Sequence, residues 1–133
     1  MTIKLTVKKL LFAVPALMLL LSGCGPDVYI KDVDHTTRLA NTGQLDIYNS
    51  PDEVKRPYQT IKTIRVEDKR VEKNQNEDQM KQRAVDRAKE AGADAIIITK
   101  TGTRNFRMSD GMGGSVPYNA KFIEIEAIVY NDK

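Results

Sequence analysis

An α+β fold is predicted for this chain: a small mixed sheet of three or four strands, in the order β-β-α-β-β, with one helix packed on one face. Three stretches predict it. Met80, Ala84, Ala88 and Ala91 recur at helical spacing, with Val85 at the margin. Ala95-Ile96-Ile97-Ile98-Thr99 follows almost at once as an apolar run of strand length. From Lys121 to Tyr130, Ile123, Ile125, Ala127 and Val129 alternate with Phe122, Glu124, Glu126, Ile128 and Tyr130, the pattern of an antiparallel strand.

The elements follow in order. Leu45 to Tyr48 is a short strand candidate, closed by the turn residues Asn49-Ser50-Pro51-Asp52. Tyr58 to Asp68, entered after Pro57, is rich in Thr, Ile and Val and reads as a longer strand. Strict alternation would put Ile61 and Ile64 on opposite faces, which predicts a bulge or a strand covered on both sides. Asn76 with Gln79 resembles a helix-capping pair, and Glu77 and Asp78 suit the positive end of the helix dipole. Gly92 suits the left-handed residue that ends such a helix.

Residues 102–119 read as a long loop joining the last two strands into a hairpin. If the strands at 58–68 and 95–101 pair in parallel, the helix is their crossover. One helix covers one face, so the other needs cover from the early segment, the loop or another molecule.

The front of the chain has a different character. Lys4, Lys8 and Lys9 precede an apolar run from Leu10 to Leu21, then Ser22 and Gly23. This is the charged, apolar and small-residue order of a secretory signal, with a run too short to span a membrane. Leu20-Leu21-Ser22-Gly23-Cys24 resembles the lipobox of bacterial lipoproteins. That resemblance implies cleavage before Cys24, a diacylglyceryl group on its sulfur and acylation of the new amine. Gly25 rather than Asp after the cysteine implies, by enterobacterial sorting, the outer membrane, with inner-membrane anchoring as the alternative. The expected organisation is a signal peptide at 1–23, a lipidated tether at 24–37 and a single domain at 38–133.

Removing residues 1–23 leaves 110 of 133 residues, enough for one core. The whole chain has 21 Lys and Arg against 18 Asp and Glu; the leader takes three lysines and no acid, so the remainder is formally neutral. The pI near 9.0 thus belongs to the leader, and nucleic acid is not an expected partner. Cys24 is the only cysteine, so an exported domain would fold without a disulfide.

Catalytic, cofactor and metal sites are not expected. His35 is the lone histidine and falls in the tether, where Asp32, Asp34 and His35 make a sparse ligand set. Glu124 and Glu126 share a strand face but lack an apolar pocket, and cross-strand neighbours such as Lys100 account for them. Gly111, Gly113 and Gly114 lack the lysine and following helix of a phosphate loop. The loop is the stronger functional candidate: Arg104, Phe106, Arg107, Met108, Met112 and Tyr118 are the residue types enriched at interface centres. Covering the core is the competing role for Phe106 and Tyr118.

The run Ala84, Ala88 and Ala91-Gly92-Ala93-Asp94-Ala95-Ile96-Ile97 resembles the core of small envelope domains, the Rcs stress-sensor lipoprotein and YbjQ-type domains among them. The resemblance spans roughly Tyr58 to Val129. It implies strand, helix, strand, loop and strand in this order, and an envelope role in sensing or assembly. The bracing cysteines of the stress sensor have no counterpart here. The expectation is a non-enzymatic, lipid-anchored, periplasm-facing module that binds an envelope protein; the alternative is an assembly lipoprotein that oligomerises through its bare sheet face.

Overall fold

The computed structural model describes residues 25–70 and 75–133. The expected signal peptide and Cys24 lie outside the described residues. The elements are β1 (Asp27–Asp32), β2 (Asp46–Tyr48), a 3-10 turn (Pro51–Glu53), β3 (Tyr58–Asp68), α1 (Glu77–Glu90), β4 (Ala95–Ser109) and β5 (Ser115–Tyr130). They form one five-stranded mixed sheet, β1-β3-β5-β4-β2, with α1 on one face. Among the described residues no helix is long and apolar enough to cross a membrane.

The α+β class holds, with more strands than the three or four expected. Three finer expectations change. β3 and β4 do not pair: β5 lies between them and is antiparallel to both. The sequence reason is the burial pattern of β5, where Ile125, Ala127 and Ile128 are fully buried, so this strand takes the centre. The tether expected at 24–37 contains a strand, because Asp27–Asp32 pairs with Lys62–Glu67 of β3. The chain stays attached beyond it, with Val33 N and Asp34 N both donating to Ile61 O at 3.0 Å. The sheet therefore begins well ahead of residue 38. The loop expected at 102–119 is mostly strand, since β4 and β5 stay paired out to Ser109 and Ser115.

The bulge expected near Ile61 is present. The β3–β5 register shifts between Thr60 and Lys62, which lets Ile61 join Ile64 and Val66 in the core under α1. Met80, Ala84 and Ala88 of α1 pack there against Ile96, Ile123, Ile125 and Ala127. The alanine stripe keeps the helix backbone close to the sheet.

Both helix ends match their sequence signals. Asn76 accepts a 3.1 Å bond from Gln79 N at the start. At the other end Gly92 N donates to Lys89 O at 2.9 Å and Ala93 N to Ala88 O at 3.0 Å. Gly92 sits at φ +79°, and a Cβ there would also lie 2.5 Å from Leu39 O. This paired bond pattern closes the helix and turns the chain into β4. Asp94 then ties β4 to the end of β5, accepting from Tyr130 N at 2.9 Å and from Lys133 Nζ.

The face opposite α1 is covered at one end by the early segment. Tyr48, Val54 and Tyr58 pack on Ala95, Ile97, Ile128 and Tyr130. The Tyr130 hydroxyl lies 2.8 Å from the Tyr48 hydroxyl and donates to Asp46 at 2.7 Å. Burial, then these two bonds, hold its proton far above the usual phenol range.

Before β1, Pro26 is buried and its carbonyl accepts a 3.2 Å bond from Arg83 of α1. Gly25 lies against the same guanidinium, where a Cβ would come within 1.7 Å. The start of the described chain is thus fastened to the helix.

Candidate functional site

β4 and β5 outrun the sheet. β3 ends at Asp68, opposite Lys121, and from there the β4–β5 pair continues alone through Arg104↔Ala120, Phe106↔Tyr118 and Met108↔Val116 to Ser109↔Ser115. At ~3.3 Å per residue the projecting arm is ~20 Å long. Its tip is built by Asp110: Oδ1 accepts from Met112 N at 2.8 Å and Gly114 N at 3.0 Å. Gly111 and Gly113 supply the two positive φ angles, 78° and 88°, that turn the chain back.

The arm has two unlike faces. Arg104, Phe106, Met108, Val116 and Tyr118 share the side opposite α1, continuous with the open sheet. Phe106 and Tyr118 stack with ring centroids 5.7 Å apart. Met108 and Val116 stand about half exposed as cross-strand partners, and Met112 at the tip is 93 % exposed. Arg107 takes the other side, donating to Ser115 Oγ at 2.9 Å.

Where the arm leaves the sheet, cations and rings interleave. The Lys69 ammonium lies 5.2 Å from the Phe106 ring and 5.7 Å from that of Tyr29, and the Arg104 guanidinium 5.0 Å from Phe106. Arg65 lies over Phe122 at 4.4 Å. Glu67, buried between them, is 3.2 Å from Arg65 Nε and 3.4 Å from Arg104. Hydrogen bonding to the Tyr29 hydroxyl, then to Asp27, raises the Lys69 pKa and keeps this cation charged. The edge of the arm nearest the body is therefore electrostatically set, while its outer half is apolar and unpaired.

Of the residues singled out in the sequence, Arg104, Phe106, Met108 and Tyr118 share one face, Met112 caps it, and Arg107 lies behind it. Phe106 and Tyr118 pack on each other rather than folding back over the core. Val116, Lys69 and Tyr29 are not among the partner-binding candidates that the sequence singles out. The spacing of Val116 and Tyr118 against Phe106 and Met108, flanking Asp110-Gly111, is a hairpin signal that would have found the first. Lys69 and Tyr29 meet the arm only through tertiary pairing, so no local pattern marks them.

The other candidates are engaged within the fold. Glu126 accepts a 2.8 Å bond from Thr60, and Glu124 stands between Arg65 and Lys100 in the sheet register. Asp34 is occupied by Thr36 and Arg38. Among the described residues no group of three or more His, Cys, Asp or Glu is placed to hold a metal ion. The basic neighbourhood around β3 is paired: Lys62 with Asp32, Arg65 with Glu67, Lys69 with Asp27, Arg70 with Asp68 and Arg56 with Asp132.

The chain matches no known protein family, curated protein or solved structure.

Proposed function

We propose that this is a lipid-anchored, periplasm-facing protein of the outer membrane that binds an envelope protein through the arm, as a non-catalytic sensor or accessory component. The anchor is Cys24, and two or three acyl chains, at ~0.8 kcal/mol per buried CH₂, make the attachment effectively permanent. One observation carries the binding reading. The arm holds Phe106, Met108, Val116 and Tyr118 on one exposed face beside Arg104, away from the domain's own core. Met108, Met112 and Val116 stand exposed beyond the stacked ring pair and add nothing to the core, so a partner is their best use.

The test is crosslinking in cells with the arm shortened by deleting residues 104–118, in parallel with radiolabelled palmitate on wild type and Cys24→Ala. The expected result is label that depends on Cys24 and crosslinks that depend on the arm. An unchanged set of crosslinks would remove the arm from the proposal; absent label would remove the anchor.

An assembly role is the second reading. It is favoured by the shallow hollow of about 380 Å³ on the open sheet face, lined by Tyr29, Lys31, Thr63, Arg65 and Glu124. Light scattering separates the two: a closed oligomer supports assembly, a monomer supports the binding module.

A further inference from the structure

β4 is an edge strand for most of its length. β2 pairs with Ala95–Ile97 only, and among the described residues no other strand lies on that side. Antiparallel pairing with β5 directs alternate backbone N–H and C=O groups outward. From Ile98 to Ser109 those groups form an open template for an extended chain.

A groove of about 310 Å³ runs beside this edge, under the first turns of α1. Met80 and Ile123 lie at its base, Thr101 and Thr103 form the strand side, and Lys81 stands at the rim with Lys121, which is paired with Glu77 at 3.2 Å. The groove exists because α1 covers β4 only at Ile96 and Ile98, leaving the strand beyond them bare on the helix side.

Charge decides the occupant. Between Ile98 and Ser109 the edge carries Lys100, Arg104 and Arg107 and no acid. A second copy paired antiparallel along this edge would set three cations beside three, which is unfavourable. Glu67 answers Arg104 and Glu124 stands opposite Lys100, but both carboxylates are shared with Arg65, so the edge keeps a net positive charge.

We infer that the free edge of β4 and the adjoining groove take an extended, acidic segment of a partner protein as an added strand. Its alternate side chains place apolar groups toward Met80 and Ile123, and carboxylates toward Lys100 and Arg104. This rests on the reading that the arm meets a protein, and it names the form that protein presents. The same edge continues into the arm, so one strand spans both.

The experiment uses the full chain purified in detergent and two blocked peptides of about seven residues, a usual strand length. One alternates valine with glutamate and the other valine with lysine. The glutamate peptide is expected to slow amide exchange between residues 98 and 107, and to bind at least about tenfold more tightly than the lysine peptide. Gly102→Pro and Thr103→Pro, made separately so that one of the two neighbours removes an outward N–H, should between them include a variant that abolishes the protection. Because either variant can fail to fold, Lys100→Glu, at an exposed position on the face that meets the carboxylates, serves as the second probe and should remove the preference for the glutamate peptide.

Equal binding of the two peptides, no slowing by the glutamate peptide, or a dimer that the charge-reversed variant disrupts would each overturn the inference. If palmitate labelling and arm-dependent crosslinks persist while the edge ignores both peptides, only this inference falls. If the edge binds as expected and the label is absent, only the anchor falls.

Discussion

β5 belongs to two environments along a single run of chain. From Ile123 to Tyr130 it sits between β3 and β4, with Ile125, Ala127 and Ile128 fully buried; from Ser115 to Asn119 it has β4 alone as neighbour and almost nothing covers it. Both halves keep the same backbone ladder, yet only the first gains from side-chain burial. The lesson is that strand geometry and strand stability separate here. The body is held by packing, whereas the arm is held by backbone pairing, an Asp110 turn and one stacked pair of rings.

The largest effect belongs to the body. Ile125→Ala should lower the unfolding free energy by about 3 to 4 kcal/mol in a urea titration, through lost burial and the cavity left between sheet and helix. A loss below about 1 kcal/mol would mean that the centre of the sheet collapses as readily as the arm, and the contrast would fail.

The second test concerns the joint between them. Asp68 is fully buried at the end of β3, where it accepts from Arg70 Nε at 2.8 Å and from Arg70 N at 3.1 Å. Arg70, first through its side-chain hydrogen bond, holds the carboxyl below the usual carboxylate range. A group with a lowered folded pKa stabilises the fold above its unfolded value, about pH 4, and that contribution is lost as pH falls through the folded value. Asp68→Asn should therefore cost about 2 kcal/mol at neutral pH. The urea midpoints of variant and wild type should approach one another in acid.

Smaller effects are expected in the arm. Phe106→Ala should remove about 1 kcal/mol of local stability. This should appear as faster amide exchange at 104–108 and 116–120, with the melting temperature of the body little changed. Met112→Ser should shift unfolding by less than about 0.5 kcal/mol. The same variant should weaken crosslinking to the partner, which sharpens the separation between what supports the fold and what it displays.

The same contrast explains which parts were legible in the sequence. α1 announces itself because its signals are local: Asn76 caps it, alanines line it and Gly92 stops it. The buried half of β5 alternates cleanly because each side of it meets a different layer. Ile61 and Ile64 even betrayed the bulge, since both had to reach one core.

β1 gave no comparable sign. Its Tyr29 and Ile30 are each 47 % exposed, and Asp27, Lys31 and Asp32 are polar, so only pairing to β3 makes it a strand. The arm was hidden for the same reason, because Thr103, Asn105, Arg107 and Ser109 bury nothing. Sequence pattern reports burial; it is nearly silent about strands held by their backbones. Of the candidate surface, the arm's residues could be named from composition, whereas the Lys69 and Tyr29 that brace its base required the register.

The fastening of Gly25 and Pro26 onto Arg83 bears on how far this protein can search. If Cys24 carries lipid as proposed, almost no slack would separate lipid from sheet, and the domain would not swing outward to find a ligand. It would ride along the leaflet in one attitude, and whatever it meets would have to pass within the reach of a ~20 Å probe. Lengthening that joint would convert a fixed gauge into a loose float, and the place of encounter, rather than its strength, is what would be lost.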